Sequence, residues 1–147
     1  MEGKVLQESL LELVRRTSCE LAPDVVRALE AGRLREQEGS SARYALDVVL
    51  ENVRLAREIS QPLCQDTGTI VCYADLPSWL GETEFRRAFD RAVVQATEKG
   101  YLRQNSVDSL TGKNSGNNLG PGSPSYHLHT GNDGSLTVRM MLKGGCS

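Results

Sequence analysis

Apolar residues recur at helical spacing through most of the first hundred positions and at strand spacing near the end of the chain. Val5, Leu6, Leu10, Leu13 and Val14 keep a period near that of an α-helix and predict a first helix. Pro23 suits the first turn of a second helix, with Val25, Val26 and Leu29 behind it and Gly32 as its stop. Ser40 or Ser41 can cap a third helix, in which Ala42, Ala45, Leu46, Val49, Val53 and Ala56 form one apolar stripe. Arg43, Asp47, Arg54 and Arg57 occupy the opposite, solvated face. Pro62 marks the end, because the residue before a proline is driven out of the helical region. Residues 69–74 form a short apolar run between Gly68 and Pro77 and predict a buried strand. A fourth helix is expected from Glu84 to Lys99, with Phe85, Ala88, Phe89, Ala92, Val93 and Ala96 inward and Gly100 as its C-terminal cap.

After Gly100 the pattern changes. Residues 104–125 are rich in Asn, Ser, Gly and Pro, and a loop of that length within a compact domain is often functional. Ser125–Thr130 and Leu136–Leu142 flank Gly131-Asn132-Asp133-Gly134, which predicts a hairpin; Leu136, Val138, Met140 and Leu142 share one face of its second strand. The expected fold is α+β: a helical N-terminal half packed on a small mixed β-sheet. Residues 1–147 make one domain, helical over 1–62, with strand, helix, long loop and hairpin over 63–147. Lys143-Gly144-Gly145-Cys146-Ser147 follows the last strand at once, an ending that reads as the cut edge of a longer domain.

Composition narrows the function classes. The chain has 147 residues, 39% of them hydrophobic and only 5% aromatic, so one aliphatic core of ordinary size is expected. A net charge of −2 gives no basic surface for nucleic acid. No apolar run is long enough to span a membrane, and the N-terminus does not read as a signal peptide, so the expected location is cytoplasmic. The cysteines, at 19, 64, 72 and 146, form no C-x-x-C pair. Cys19 and Cys72 read as buried small hydrophobes.

The densest chemistry lies in Pro62-Leu63-Cys64-Gln65-Asp66-Thr67-Gly68-Thr69, between a helix end and a buried strand. A thiol, an amide, a carboxylate and a hydroxyl stand in four consecutive residues, where loops present groups on a rigid scaffold. The plainer reading is a capped turn in which Asp66 and Thr67 bond their own backbone. His127 and His129 leave one face of a strand together, which suits an ordinary strand role better than a metal site lacking further ligands.

The string from Cys64 to Thr69 resembles the first signature of the iron–sulfur-dependent hydro-lyases, the class I fumarase and L(+)-tartrate dehydratase family. Gly100-Tyr101-Leu102-Arg103-Gln104-Asn105-Ser106-Val107-Asp108 is similar to that family's arginine segment. Lys143-Gly144-Gly145-Cys146-Ser147 resembles its Lys-Gly-Gly-Gly-Ser turn, with Cys146 where the family usually has glycine. The similarity covers the N-terminal, alpha-type portion.

The resemblance implies a [4Fe–4S] cluster with Cys64 as one of three thiolate ligands, the other two lying beyond residue 147. It also implies substrate contacts from Gln65, Asp66, Arg103 and Gly145, with Asp66 in proton transfer and Arg103 clamping a carboxylate. The implied reaction reversibly adds water to, or removes it from, a hydroxy-dicarboxylate pair: fumarate and malate, or tartrate and oxaloacetate. The implied partners are the substrate, a beta-type domain or subunit, and a second copy in a homo-oligomer. The 147 residues are then expected to fold but not to react alone. The rivals are a non-catalytic assembly domain without a cluster, and a cysteine-nucleophile enzyme pairing Cys64 with His127 or His129.

Overall fold

The computed structural model describes residues 2–132 and 134–144. Gly145 and Cys146 lie outside the described residues. The elements run α1 (Glu2–Cys19), α2 (Pro23–Arg35), α3 (Ser41–Ile59), β1 (Thr69–Pro77), α4 (Glu82–Glu98), β2 (Ser125–Asn132) and β3 (Thr137–Lys143). The architecture is α+β, as the periodicities predict.

The core forms where α1 and α4 cover one face of the sheet. β1 alternates strictly over its first eight residues and sends Ile70, Cys72, Ala74 and Leu76 inward. They meet Leu10 and Val14 of α1 and Phe85, Ala88, Phe89, Ala92, Val93 and Ala96 of α4. Phe85, Phe89, Ile70 and Leu76 are fully buried, and each such side chain contributes ~1.5–3 kcal/mol relative to exposure. Leu136, Val138, Met140 and Leu142 pack against this cluster from the expected single face.

Two expectations are corrected. The two C-terminal strands are not a hairpin: the sheet order is β2-β1-β3, with β2 parallel and β3 antiparallel to β1. β2 and β3 therefore stand two strand spacings apart, ~9.6 Å. The reason lies in β1, whose backbone is buried and needs hydrogen-bond partners on both edges. A β2–β3 hairpin would leave one of those edges unpaired.

The stripe on α3 is only partly covered. Ala56 is buried and Leu46 and Val53 are half-buried, whereas Ala42, Ala45 and Val49 are exposed. α2 has no buried residue at all and runs on through Gly32 to Arg35. α2 and α3 pack on each other beside the main core, joined by an ion pair between Arg33 and Asp47. Ser40, not Ser41, caps α3 by accepting from the Arg43 N–H at 3.1 Å. Among the described residues, no helix is long and apolar enough to cross a membrane.

Candidate active site

The loop from α3 to β1 is tied down before its chemistry begins. α3 ends at Ile59, Ser60 takes a left-handed conformation (φ 51°), and Pro62 is buried. The Leu63 N–H then donates to the Ser18 carbonyl at 2.9 Å, which fastens the loop to the end of α1. That helix end is held by charge. Arg15 donates to Glu12 at 2.8 Å and to Glu20 at 2.6 Å, and reaches Ser60 Oγ at 3.5 Å.

The hydrogen bonds from Arg15, and then from Arg16, hold the Glu12 carboxyl down to about 2 from its ordinary 4.5. A folded-state pKa below the unfolded value stabilises the fold above pH 4.5, and that contribution is lost as the pH falls toward 2. Thermal midpoints are therefore expected to decline across this window, and Glu12→Gln should make the decline shallower. An unchanged slope in that variant would show that the pair contributes nothing to acid stability.

Downstream, Cys64 is exposed and its sulfur accepts from the Asp66 N–H at 3.5 Å. Asp66 Oδ1 accepts from the Gly68 N–H at 2.9 Å, closing an Asx turn. Gly68 crosses the end of β3 in a left-handed conformation (φ 67°), with no room for a Cβ against Lys143 and Gly144. Asp66 Oδ2 faces Gly144, where an added Cβ would lie 3.3 Å away.

Two clefts open on either side of this turn. One, of about 510 Å³, is lined by Asp66, Gly68, Asn105, Ser106, Lys143 and Gly144 among others. The other, of about 450 Å³, is lined by Thr17, Ser18, Leu63, Cys64, Thr67 and Leu142 together with Asp66 and Gly144. Asp66 thus stands in the wall that the two clefts share. A larger groove of about 870 Å³ lies along α2 and α3. It holds none of the motif residues, and charges such as Arg54, Glu51 and Glu58 in its wall already pair with one another.

The capped-turn reading holds for Asp66 but not for Thr67. Thr67 is 3% exposed, and its hydroxyl accepts from the Arg103 N–H at 2.7 Å across 36 residues of sequence. The chain arrives there because Gly100 (φ 75°) ends α4: its N–H donates to Thr97 O at 3.0 Å and the Tyr101 N–H to Ala96 O at 2.8 Å. Leu102 is buried, Arg103 is exposed, and the Arg103 guanidinium has no side-chain partner among the described residues. Gln65 is exposed beside Asp66.

Sequence reasoning missed three residues here. For Thr67 the sequence offers a local turn bond, not a long-range one. Asn105 Oδ1 accepts from the Thr67 N–H at 3.0 Å. Asn118, 2% exposed with φ 61°, donates from Nδ2 to Arg103 O at 2.8 Å and to Thr97 Oγ1 at 3.1 Å. It also accepts from the Asn105 N–H at 3.1 Å. Asn105 stands within the arginine segment, whereas the one sequence signal for Asn118 is the high Asn content of the 104–125 loop.

The remaining candidates separate cleanly. Cys19 and Cys72 are fully buried, as expected, and burial pushes the Cys72 thiol up to about 12 and raises that of Cys19. His127 stacks on Tyr73 at 4.5 Å, and His129 lies 3.6 Å from Asp75, both on the outer face of the sheet. Neither histidine lines the cleft that holds Cys64. No group of three or more His, Cys, Asp or Glu among the described residues could hold a metal ion.

The chain as a whole has known relatives. A family model described as fumarate hydratase (Fumerase) matches residues 7–147. A Geobacillus stearothermophilus protein provisionally named fumarate hydratase class I is 40% identical over 140 residues, 95% of this chain and 27% of that protein. The L(+)-tartrate dehydratase subunit alpha of Escherichia coli K12 is 30% identical over 148 residues, 97% of this chain and 48% of that protein. The chain thus spans between about a quarter and a half of these relatives' length.

Proposed function

This chain belongs to the fumarate hydratase (Fumerase) family, and on that premise we propose that it forms the alpha-type portion of an iron–sulfur hydro-lyase. The reaction is the reversible addition of water to a dicarboxylate double bond, fumarate to malate or the corresponding dehydration of tartrate. The observation that carries this reading is the shared wall of the two clefts. There Asp66 stands two residues from the exposed Cys64, and Thr67 joins the same turn to Arg103.

The donor chemistry fits one corner of a [4Fe–4S] cluster. Cys64 offers an exposed sulfur at a cleft, while Cys19 and Cys72 are sealed in the core, so the other thiolates come from outside the described residues. When bound, a cluster with an open iron supplies Lewis acidity toward a substrate hydroxyl and carboxylate. The residues of this chain do the rest. The Arg103 fork pairs with both oxygens of one carboxylate. The Gln65 amide holds a second polar group of the substrate. Asp66 carries the proton that leaves with hydroxide in dehydration and is recovered in hydration. Gly145, outside the described residues, belongs to the same substrate contact by resemblance.

The names of the relatives support a beta-type partner as well, since the Escherichia coli protein is called subunit alpha. We extend the proposal to that partner, to a homo-oligomer and to a cytoplasmic location. Anaerobically purified complete enzyme containing this chain is expected to hold iron and acid-labile sulfide in near-equal, stoichiometric amounts, and Cys64→Ala should lose both. Iron-free protein that still hydrates fumarate would overturn the cluster assignment. Iron-free protein without turnover would favour an assembly domain instead.

A further inference from the structure

Four hydrogen bonds close a ring between the motif turn and the arginine segment. Thr67 Oγ1 accepts from the Arg103 N–H (2.7 Å), and Arg103 O accepts from Asn118 Nδ2 (2.8 Å). Asn118 Oδ1 accepts from the Asn105 N–H (3.1 Å), and Asn105 Oδ1 accepts from the Thr67 N–H (3.0 Å). Both backbone polar groups of Arg103 are thereby held by side chains that are almost wholly buried, Thr67 and Asn118. We infer that Asn118 is a positioning residue that sets where the Arg103 guanidinium stands relative to Gln65 and Asp66.

Three features single out Asn118 within the ring. Its carbonyl and both amide hydrogens are all engaged by protein groups. Its second amide hydrogen goes to Thr97 Oγ1, and Thr97 in turn donates to Val93 O at 2.8 Å, which anchors the ring in α4 and hence in the core. Its left-handed backbone is one that asparagine tolerates better than most residues. The ring bonds Arg103 only through its backbone, leaving the guanidinium exposed for a ligand. A side chain that pairs with a backbone N–H and C=O on either side of Gln104 acts as an extra strand edge and fixes the local conformation.

The inference rests on the reading of Arg103 as a carboxylate clamp, and its test keeps the two apart. Succinate, a dicarboxylate with no double bond to hydrate, is the probe, titrated calorimetrically into the complete enzyme. Arg103→Lys keeps the charge and loses the fork, and should weaken binding roughly 10- to 100-fold, the worth of a charge-assisted hydrogen bond. Asn118→Asp keeps the shape and the acceptor but turns a second acceptor toward Arg103 O. It should weaken succinate about tenfold, and raise KM for the substrate more than it lowers kcat.

Asn118→Gly removes the side chain while tolerating the left-handed backbone. It should show the same loss, which covers the case in which a buried aspartate prevents folding. The double variant Arg103→Lys with Asn118→Gly should bind no worse than Arg103→Lys alone, because Asn118 acts through Arg103. Asn118 variants that bind succinate as tightly as wild type, or that lower kcat at unchanged KM, overturn the positioning role and leave the clamp standing. Wild-type binding by Arg103→Lys overturns the clamp itself.

Discussion

Asp66→Asn is expected to abolish turnover in the complete enzyme while its fold and iron content stay as in wild type. The substitution keeps the side chain's shape and the oxygen that accepts from the Gly68 N–H at 2.9 Å, so the turn that presents Cys64 survives. What it removes is the group that titrates. A positioned acid or base contributes typically ~10²–10⁴-fold to rate, and an amide cannot take that part. The proposal of that role rests on the wall Asp66 shares between the clefts and on the approach of its Oδ2 to Gly144. Paired assays of kcat and of iron per chain decide the matter. Loss of iron together with activity would make Asp66 a structural turn residue, and undiminished kcat would remove it from the chemistry altogether.

Gly68→Ala should be the most damaging single change to the fold of the site. An alanine Cβ would overlap the Lys143 carbonyl and lie 2.6 Å from Gly144 Cα. These are backbone atoms at the end of β3, which cannot rotate aside as a side-chain tip can. The left-handed backbone at φ 67° adds roughly 1–2 kcal/mol for any residue with a Cβ. Relief requires the motif turn and the end of β3 to separate, which also breaks the Asp66–Gly68 bond and opens the shared wall. A loss of about 4 kcal/mol or more in denaturant unfolding is expected, the range reserved for such steric failures, with the cluster and activity lost alongside. A shift below about 1 kcal/mol would mean that β3 ends elsewhere than against this glycine.

These two residues differ in how far the sequence alone could interpret them. Asp66 stands out as a candidate from its neighbours, a thiol, an amide and a hydroxyl within four positions, and the fold puts it in the wall of both clefts. Gly68, by sequence alone, is only a residue whose backbone can bend where others cannot. That it is the place where two backbones touch depends on β3, some 75 residues further on. Thr67 shows the same limit: sequence suggests a local turn bond for its hydroxyl, and the fold carries it to Arg103.

What the sequence by itself determined is what repeats locally. The helical period of α1, the stripe of α4, a serine cap at the start of α3, Pro23 at a helix start, Gly100 at a helix end and the alternation of β3 each follow from a period or from a residue's own backbone preference. Tertiary structure alone decided the strand order, the exposure of half the α3 stripe, and the ring that joins Thr67, Arg103, Asn105 and Asn118. An amphipathic stripe shows that a face is apolar but not whether anything covers it, and α2 leaves part of α3 bare. Strand pairing and side-chain-to-backbone bonds have no period to read. They are settled by where buried N–H and C=O groups find partners once the core has closed, which placed β1 between β2 and β3 and set Asn118 against Arg103.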